Sequence, residues 1–197
     1  MLKIKPLRTT RLTLREWRAS DREPFACMNA DARVMEFLPA PLTRAESDAL
    51  ADRIEAHFRE HGFGLFAAEL RAEAHGNVRG GAGADNAAFI GWIGLSVPRF
   101  EAHFTPCVEI GWRLAADYWG RGVATEGARA VARHAFAELG LDEIVSFTVA
   151  ENVRSTRVMQ KLGMTRNPGD DFDHPALPPG HPLRRHVLYR LQRRREK

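Results

Sequence analysis

One stretch, residues 105–139, limits the fold more than any other, because its apolar period changes from two to near 3.6 across a pair of glycines. Residues 105–114 (TPCVEIGWRL) read as a strand, and a short polar turn follows. Gly120-Arg121-Gly122 then opens a helix from about Gly122 to Leu139. Val123, Ala128, Val131, Ala135, Phe136 and Leu139 form its apolar stripe, while Arg129, Arg133 and Glu138 face water. Glycines at a helix start let the backbone approach a ligand and leave N–H groups unpaired. With the helix dipole, such groups suit an anion, phosphate above all. Three readings compete at this point. Gly120-x-Gly122-x-x-Thr125 nearly matches a dinucleotide fingerprint, but Thr125 replaces its third small residue and no first-strand βαβ unit surrounds it. A Walker loop would need GxxxxGK[ST], which is missing. The third reading is a glycine-containing helix start without a ligand.

The remaining pattern supplies layers for this helix to pack on. Residues 7–17 read as a first strand and 63–70 and 87–98 as two more. Ser20 or Asp21 caps a helix running through Met28. Thr43 with Glu46 makes a capping box, followed by Leu50, Ile54 and Phe58 until Gly62 stops that helix. Residues 143–150 form a strand, 152–162 a helix ended by Gly163, and 186–191 a closing strand. The order predicts an α+β sandwich on a mixed sheet in one domain spanning 1–197. A glycine-rich stretch at about 71–86 reads as a mobile hairpin loop, and residues from about 192 to 197 read as a basic tail.

Composition excludes several function classes. No apolar run approaches the ~18–20 residues of a membrane span. Cys27 and Cys107 are too few for a disulfide framework or a CxxC metal site and read as small, partly buried thiols in a reducing cytoplasm. His57 and His61 are spaced i, i+4, but no third ligand or HExxH pattern accompanies them, so they read as a solvated helix face and no metal is expected. His174, His181 and His186 obey no ligand-spacing rule either. The arginine-rich ends could touch nucleic acid, yet no zinc finger, KH loop or RNP motif supports that.

Residues 109–114, 119–124 and 152–164 together resemble the GNAT acetyltransferase superfamily, whose phosphate motif Q/R-x-x-G-x-G/A maps onto Trp119-Gly120-Arg121-Gly122-Val123-Ala124. Trp119 departs from its first position. That tryptophan, the YWGRGVATE wording and ENVRSTRVMQKLGM resemble the branch of ribosomal-protein N-terminal acetyltransferases (RimJ/RimL-like). The resemblance implies a mostly antiparallel sheet of about seven strands with about four helices, splayed between its fourth and fifth strands. It implies acetyl-CoA in the splay: backbone groups of Ile110, Gly111, Trp112, Arg113 and Leu114 facing the pantetheine, Gly120 to Thr125 at the pyrophosphate, and Asn152 and Lys161 as further contacts. Asn152 is equally suited to a helix N-cap.

The implied reaction is direct attack of an amine on the thioester, which needs a proton acceptor and favours a donor to the leaving thiolate. Family members use a tyrosine donor at the position of Met159, which has no proton to give. Ser155, one turn earlier on the same face, matches the serine of the RimL-like branch and is the expected donor. For the base, Glu109 on the strand competes with Asp173 or His174 in the loop at 170–175, directly or through water. The expected acceptor is an amine, either a small molecule or a protein N-terminus such as a ribosomal protein's. A non-catalytic acyl-CoA-binding module and a basic ribosome- or RNA-associated protein are the alternatives. A homodimer is compatible with the sequence, and no feature specifies one.

Overall fold

The computed structural model describes residues 4–71 and 88–194. Apart from Arg71, the predicted loop at 71–86 lies outside the described residues, as does the end of the basic tail. The predicted first strand is two: β1 (Leu7–Arg8) and β2 (Leu12–Arg15) pair antiparallel. The chain reverses between them because Thr9 Oγ1 accepts from the Leu12 N–H, while the Thr9 hydroxyl and the Arg11 N–H donate to Glu126 at 2.6 and 2.8 Å.

A 3-10 turn at Ala19–Asp21 leads into α1 (Arg22–Ala30). Asp21 does not cap that helix with its side chain; its carboxylate takes two bonds from the buried Arg15 guanidinium and one from the Arg18 N–H. Arg15 also reaches Glu69 at 2.7 Å, so every charge of this buried group has a partner. α2 (Ala32–Met35), too short to leave a periodic signal, is capped by Asp31. α3 (Arg44–His61) starts at the predicted Thr43–Glu46 capping box and stops at Gly62, whose φ is 75°. His57 departs from its reading as a solvated residue. It is buried; its Nδ1 meets the Phe63 carbonyl and its Nε2 accepts from the Val97 N–H, tying α3 to the next strands. Cys27 is exposed rather than partly buried.

The sheet continues through β3 (Leu65–Leu70), β4 (Ala88–Ser96) and β5 (Glu109–Leu114). After β5 come α4 (Val123–Ala137), β6 (Glu143–Val149), α5 (Val153–Leu162), β7 (Thr165–Arg166), β8 (Phe172–Asp173) and β9 (Arg185–Gln192). Strand order is β1-β2-β3-β4-β5-β6-β9-β7, with β8 also on β9. Among the described residues, nine strands and five α-helices exceed the expected seven and four because two-residue strands and a one-turn helix carry no period.

Among the described residues every pairing is antiparallel except β5 with β6, which is parallel and has one registered pair, Glu109 with Val145. Beyond that pair the two strands diverge, making the expected splay between what were read as the fourth and fifth strands. α4 covers one face of the sheet, its buried Ala128, Val131 and Ala135 meeting Ile93 and Leu12. Gly127 permits this approach, since a Cβ there would lie 2.4 Å from Ile93 Cδ1. α1 and α3 pack elsewhere, with Phe25 and Phe58 buried against the strands.

Candidate active site

The splay opens into a cavity of about 610 Å³. Its closed end is the Glu109–Val145 pair, and its open end leads to the turn before α4. There Gly120 and Gly122 take left-handed φ values of 72° and 75°, and Gly122 caps α4 with no side-chain bond. The first intrahelical bond runs from the Glu126 N–H to the Gly122 carbonyl, leaving the preceding amides for an anion. Trp119 holds this turn to the strand, because its indole N–H donates to the Leu114 carbonyl at 2.8 Å. Arg11, which the sequence did not single out, donates to the Arg121 carbonyl and pairs with Glu126 at 2.7 Å, bringing a cation beside Gly122.

α5 forms another wall. Asn152 caps it, accepting from the Ser155 N–H and donating to Thr148 Oγ1. The cap function is therefore filled, while Asn152 still lines the cavity. Ser155 lines it too, and its hydroxyl has no hydrogen-bond partner among the described residues. Met159, also in the wall, is buried. Lys161 stands where this cavity meets a second, basic hollow with Arg11, Arg129 and Arg133.

Glu109, Gly111 and Arg113 point to one side of β5 by strand alternation, and all three line the cavity. Burial pushes the Glu109 carboxyl up to about 7, partly opposed by the Ser96 hydroxyl 3.3 Å away. Burial likewise lowers the Arg113 guanidinium to about 10. His174 lines the same cavity beside His186, with ring centres 5.1 Å apart, and burial lowers its pKa. Its Nδ1 accepts from the Ala176 N–H, so the neutral ring carries its proton on Nε2. Asp173 is ion-paired with Arg184 and Arg185, which keep its carboxyl below the usual range. Cys107, pushed up to about 11 by burial, is a thiol rather than a nucleophile.

Of the predicted residues, Glu109, Gly111 to Leu114, Trp119, Gly120, Gly122 to Thr125, Asn152, Ser155, Lys161 and His174 border one cavity. Ile110 is in the core, leaving only its backbone available, and the Arg121 side chain lies over Tyr118 on the outside. Sequence reasoning missed Trp92 and the α2 residues Arg33 and Val34 in the wall. Trp92 faces the site only through its pairing with Arg113 across β4 and β5, which no local pattern reveals.

Parallel strands parted at one pair, with a bare helix N-terminus at the mouth, define an α+β enzyme that grips a phosphate-bearing cofactor in an open sheet. The acetyltransferase (GNAT) domain model matches residues 11–165, and the chain belongs to this family of acetyl-CoA-dependent N-acetyltransferases. It is 38% identical over 96 residues to the FsC-acetyl coenzyme A-N(2)-transacetylase of Aspergillus fumigatus, 47% of this chain and 41% of that enzyme. The chain thus spans less than half of that relative. It is 28% identical to the uncharacterized N-acetyltransferase YnaD of Bacillus subtilis, over 88% of both. An acetyltransferase structure from Agrobacterium tumefaciens superimposes with a TM-score of 0.71 at 26% identity, covering 98% of this chain and 97% of that one. Mycobacterium smegmatis RimJ, solved with CoA-disulfide, shares the fold with a TM-score of 0.68 at 18% identity, over 95% and 86% of the two chains.

Among the described residues no group of three or more His, Cys, Asp or Glu could hold a metal, and no helix is long and apolar enough to cross a membrane. The site's donors fit coenzyme A: main-chain N–H groups and Arg11 at the mouth for phosphate, and open strand edges within for an amide-bearing arm.

Proposed function

We propose that the chain acetylates an amine by direct attack in a ternary complex, with Glu109 as base and Ser155 as donor to the leaving sulfur. Acetyl-CoA supplies the acetyl group on its thioester. The observation that carries this reading is the position of Glu109 at the closed end of the splay, in the cavity that Ser155 also lines with an unengaged hydroxyl. A carboxyl pushed up to about 7 accepts a proton from an ammonium near neutral pH, where an ordinary carboxylate is too weak a base. A Glu109 oxygen first takes a proton from the ammonium and the freed lone pair forms the C–N bond; the second proton shed by the nitrogen balances the thiol that leaves. The C–S bond breaks toward a sulfur that receives a hydrogen bond from Ser155 Oγ.

Glu109 is preferred to His174 because the His174 nitrogen left free by Ala176 carries a proton and donates. Asp173 is committed to two arginines. The backbone of Gly111 to Leu114, together with Gly120 to Thr125, Asn152 and Lys161, holds the cofactor in this reading. The acceptor is a small amine or a protein N-terminus, and unpaired Cys27 and Cys107 support a reducing, cytoplasmic setting. The test is release of free thiol from acetyl-CoA across a panel of amines. Coenzyme A binding without turnover of any amine would leave only an acyl-CoA-binding module.

A further inference from the structure

The wall of the cavity toward α1 carries an arrangement that the transfer reaction itself does not use. Arg113 is a half-buried guanidinium with no carboxylate in ion-pair range among the described residues. Its partners are the Asn29 side-chain carbonyl, which accepts from Nη1 at 2.9 Å, and the Trp92 ring, 5.5 Å away. Asn29 is itself buried and donates to Ser47 Oγ, so it is fixed as a neutral acceptor. Trp92 lies over Gly111; a Cβ there would be 3.2 Å from the ring and 3.8 Å from Glu109 Oε1. The indole thus forms a floor between Glu109 and Arg113. Its own N–H is buried with no acceptor among the described residues. A half-buried cation facing a cavity without a counter-charge is poorly compensated unless a ligand completes it.

The cofactor is on the wrong side to do so. Arg113 faces α1, whereas Ile93, cross-strand neighbour of Trp112, faces α4, whose N-terminus forms the anion cradle. From the proposed transfer activity and this geometry we infer that the acceptor is an amine that carries a carboxylate, its amine toward Glu109 and its carboxylate on Arg113 over the Trp92 floor. Arg113 lies four positions along the strand from Glu109, about 13 Å between Cα atoms. Both groups therefore belong to one acceptor of amino-acid to short-peptide size. A guanidinium prefers a carboxylate through paired N–H donors, and a polycationic amine meets repulsion there.

The experiment compares amino acids with their methyl esters and decarboxylated amines, and acidic with neutral short peptides, in wild type, Arg113→Gln and Arg113→Lys. Thiol release gives kcat/KM, and calorimetry with coenzyme A alone reports the cofactor site. Expected is a preference of about 100-fold for the acid over its ester in wild type, as for a site that rejects acceptors lacking its polar partner. Arg113→Gln removes that preference, Arg113→Lys restores part of it, and coenzyme A affinity stays within about threefold. Preference for free amino acids or for acidic peptides identifies the source of the carboxylate. Equal rates for acid and ester in wild type overturn the inference whether or not the variants fold, and leave the acetyl-transfer reading standing. Coenzyme A binding with no amine turned over removes both.

Discussion

The turn at 118–122 and the wall made by Trp92, Glu109 and Arg113 border one cavity, yet the first is built mainly from main chain, with Arg11 beside it, and the second from side chains. The turn offers amide groups exposed by two left-handed glycines and held by Trp119. Such a site needs only a few consecutive residues, and it recognises phosphate on any ligand that fits. The wall gathers Trp92 from β4 and Glu109 and Arg113 from β5, and burial shifts both of its ionisable groups toward their neutral forms. On the proposed reading, the turn governs affinity for the cofactor, and the wall governs chemistry and acceptor choice. Substitutions that separate these effects test the division.

The largest effect is expected from Glu109→Gln. Loss of a general base lowers kcat/KM by about 10²- to 10⁴-fold, while coenzyme A affinity by calorimetry is unchanged. Wild-type kcat/KM should rise with pH through about 7, because only the ionised Glu109 accepts a proton; the variant should lack that limb. Stability runs the other way. The folded-state pKa is raised above its ordinary value of 4.5, so the stability Glu109 contributes is full below that value and is lost as pH rises to about 7. At pH 8 the glutamine variant should be more stable than wild type by about 1–3 kcal/mol, less than the full shift implies because the cavity admits water. At pH 4 the melting temperatures should coincide. A wild-type profile flat between pH 6 and 8 would remove Glu109 from the reaction.

Gly122→Val strikes the opposite side. A φ of 75° costs a β-branched residue about 1–2 kcal/mol, and the new side chain would stand 3.6 Å from an Arg11 nitrogen at the cradle. Coenzyme A affinity should fall about 100-fold, with the pH limb from Glu109 intact in whatever turnover survives. Unchanged affinity would mean that the phosphates bind elsewhere.

How far each side could be read from sequence follows from the same contrast. The cradle was legible because strand, turn, glycines and helix follow one another within about twenty residues. Thr43, Glu46 and Gly62, which bound α3, were legible for the same local reason. Glu109 was found through the family pattern, but its place at the vertex depends on a pairing with Val145, 36 positions away in the chain. Trp92 and Asn29 were invisible, because their roles come from cross-strand register and from a helix packed over the sheet. His57 was misread since its partners, Phe63 just before β3 and Val97 just after β4, are brought to it by the pairing of those strands. The α2 helix was missed because four residues give no repeat.

Ser155→Ala tests the donor with little structural disturbance, since Asn152 caps the Ser155 backbone N–H and not its hydroxyl. Expected is a roughly 10-fold lower kcat with KM for acetyl-CoA within about threefold, the pattern of an interaction made only as the sulfur leaves. A rise in KM alone would recast Ser155 as a cofactor contact.

The smallest effect separates support from contact within the cradle. Trp119 occupies the first position of the phosphate motif, but its indole N–H is spent on the Leu114 carbonyl and its ring carries Arg154 at 4.4 Å. Trp119→Phe keeps most of the ring and removes that bond, so stability should fall by about 0.5–1.5 kcal/mol. The turn would still be held at its other end by Arg11 on the Arg121 carbonyl. Coenzyme A affinity should then drop no more than about threefold. A loss comparable with that of Gly122→Val at unchanged stability would show the tryptophan touching the cofactor directly, adding an aromatic side chain to the main-chain N–H groups and Arg11 of the cradle.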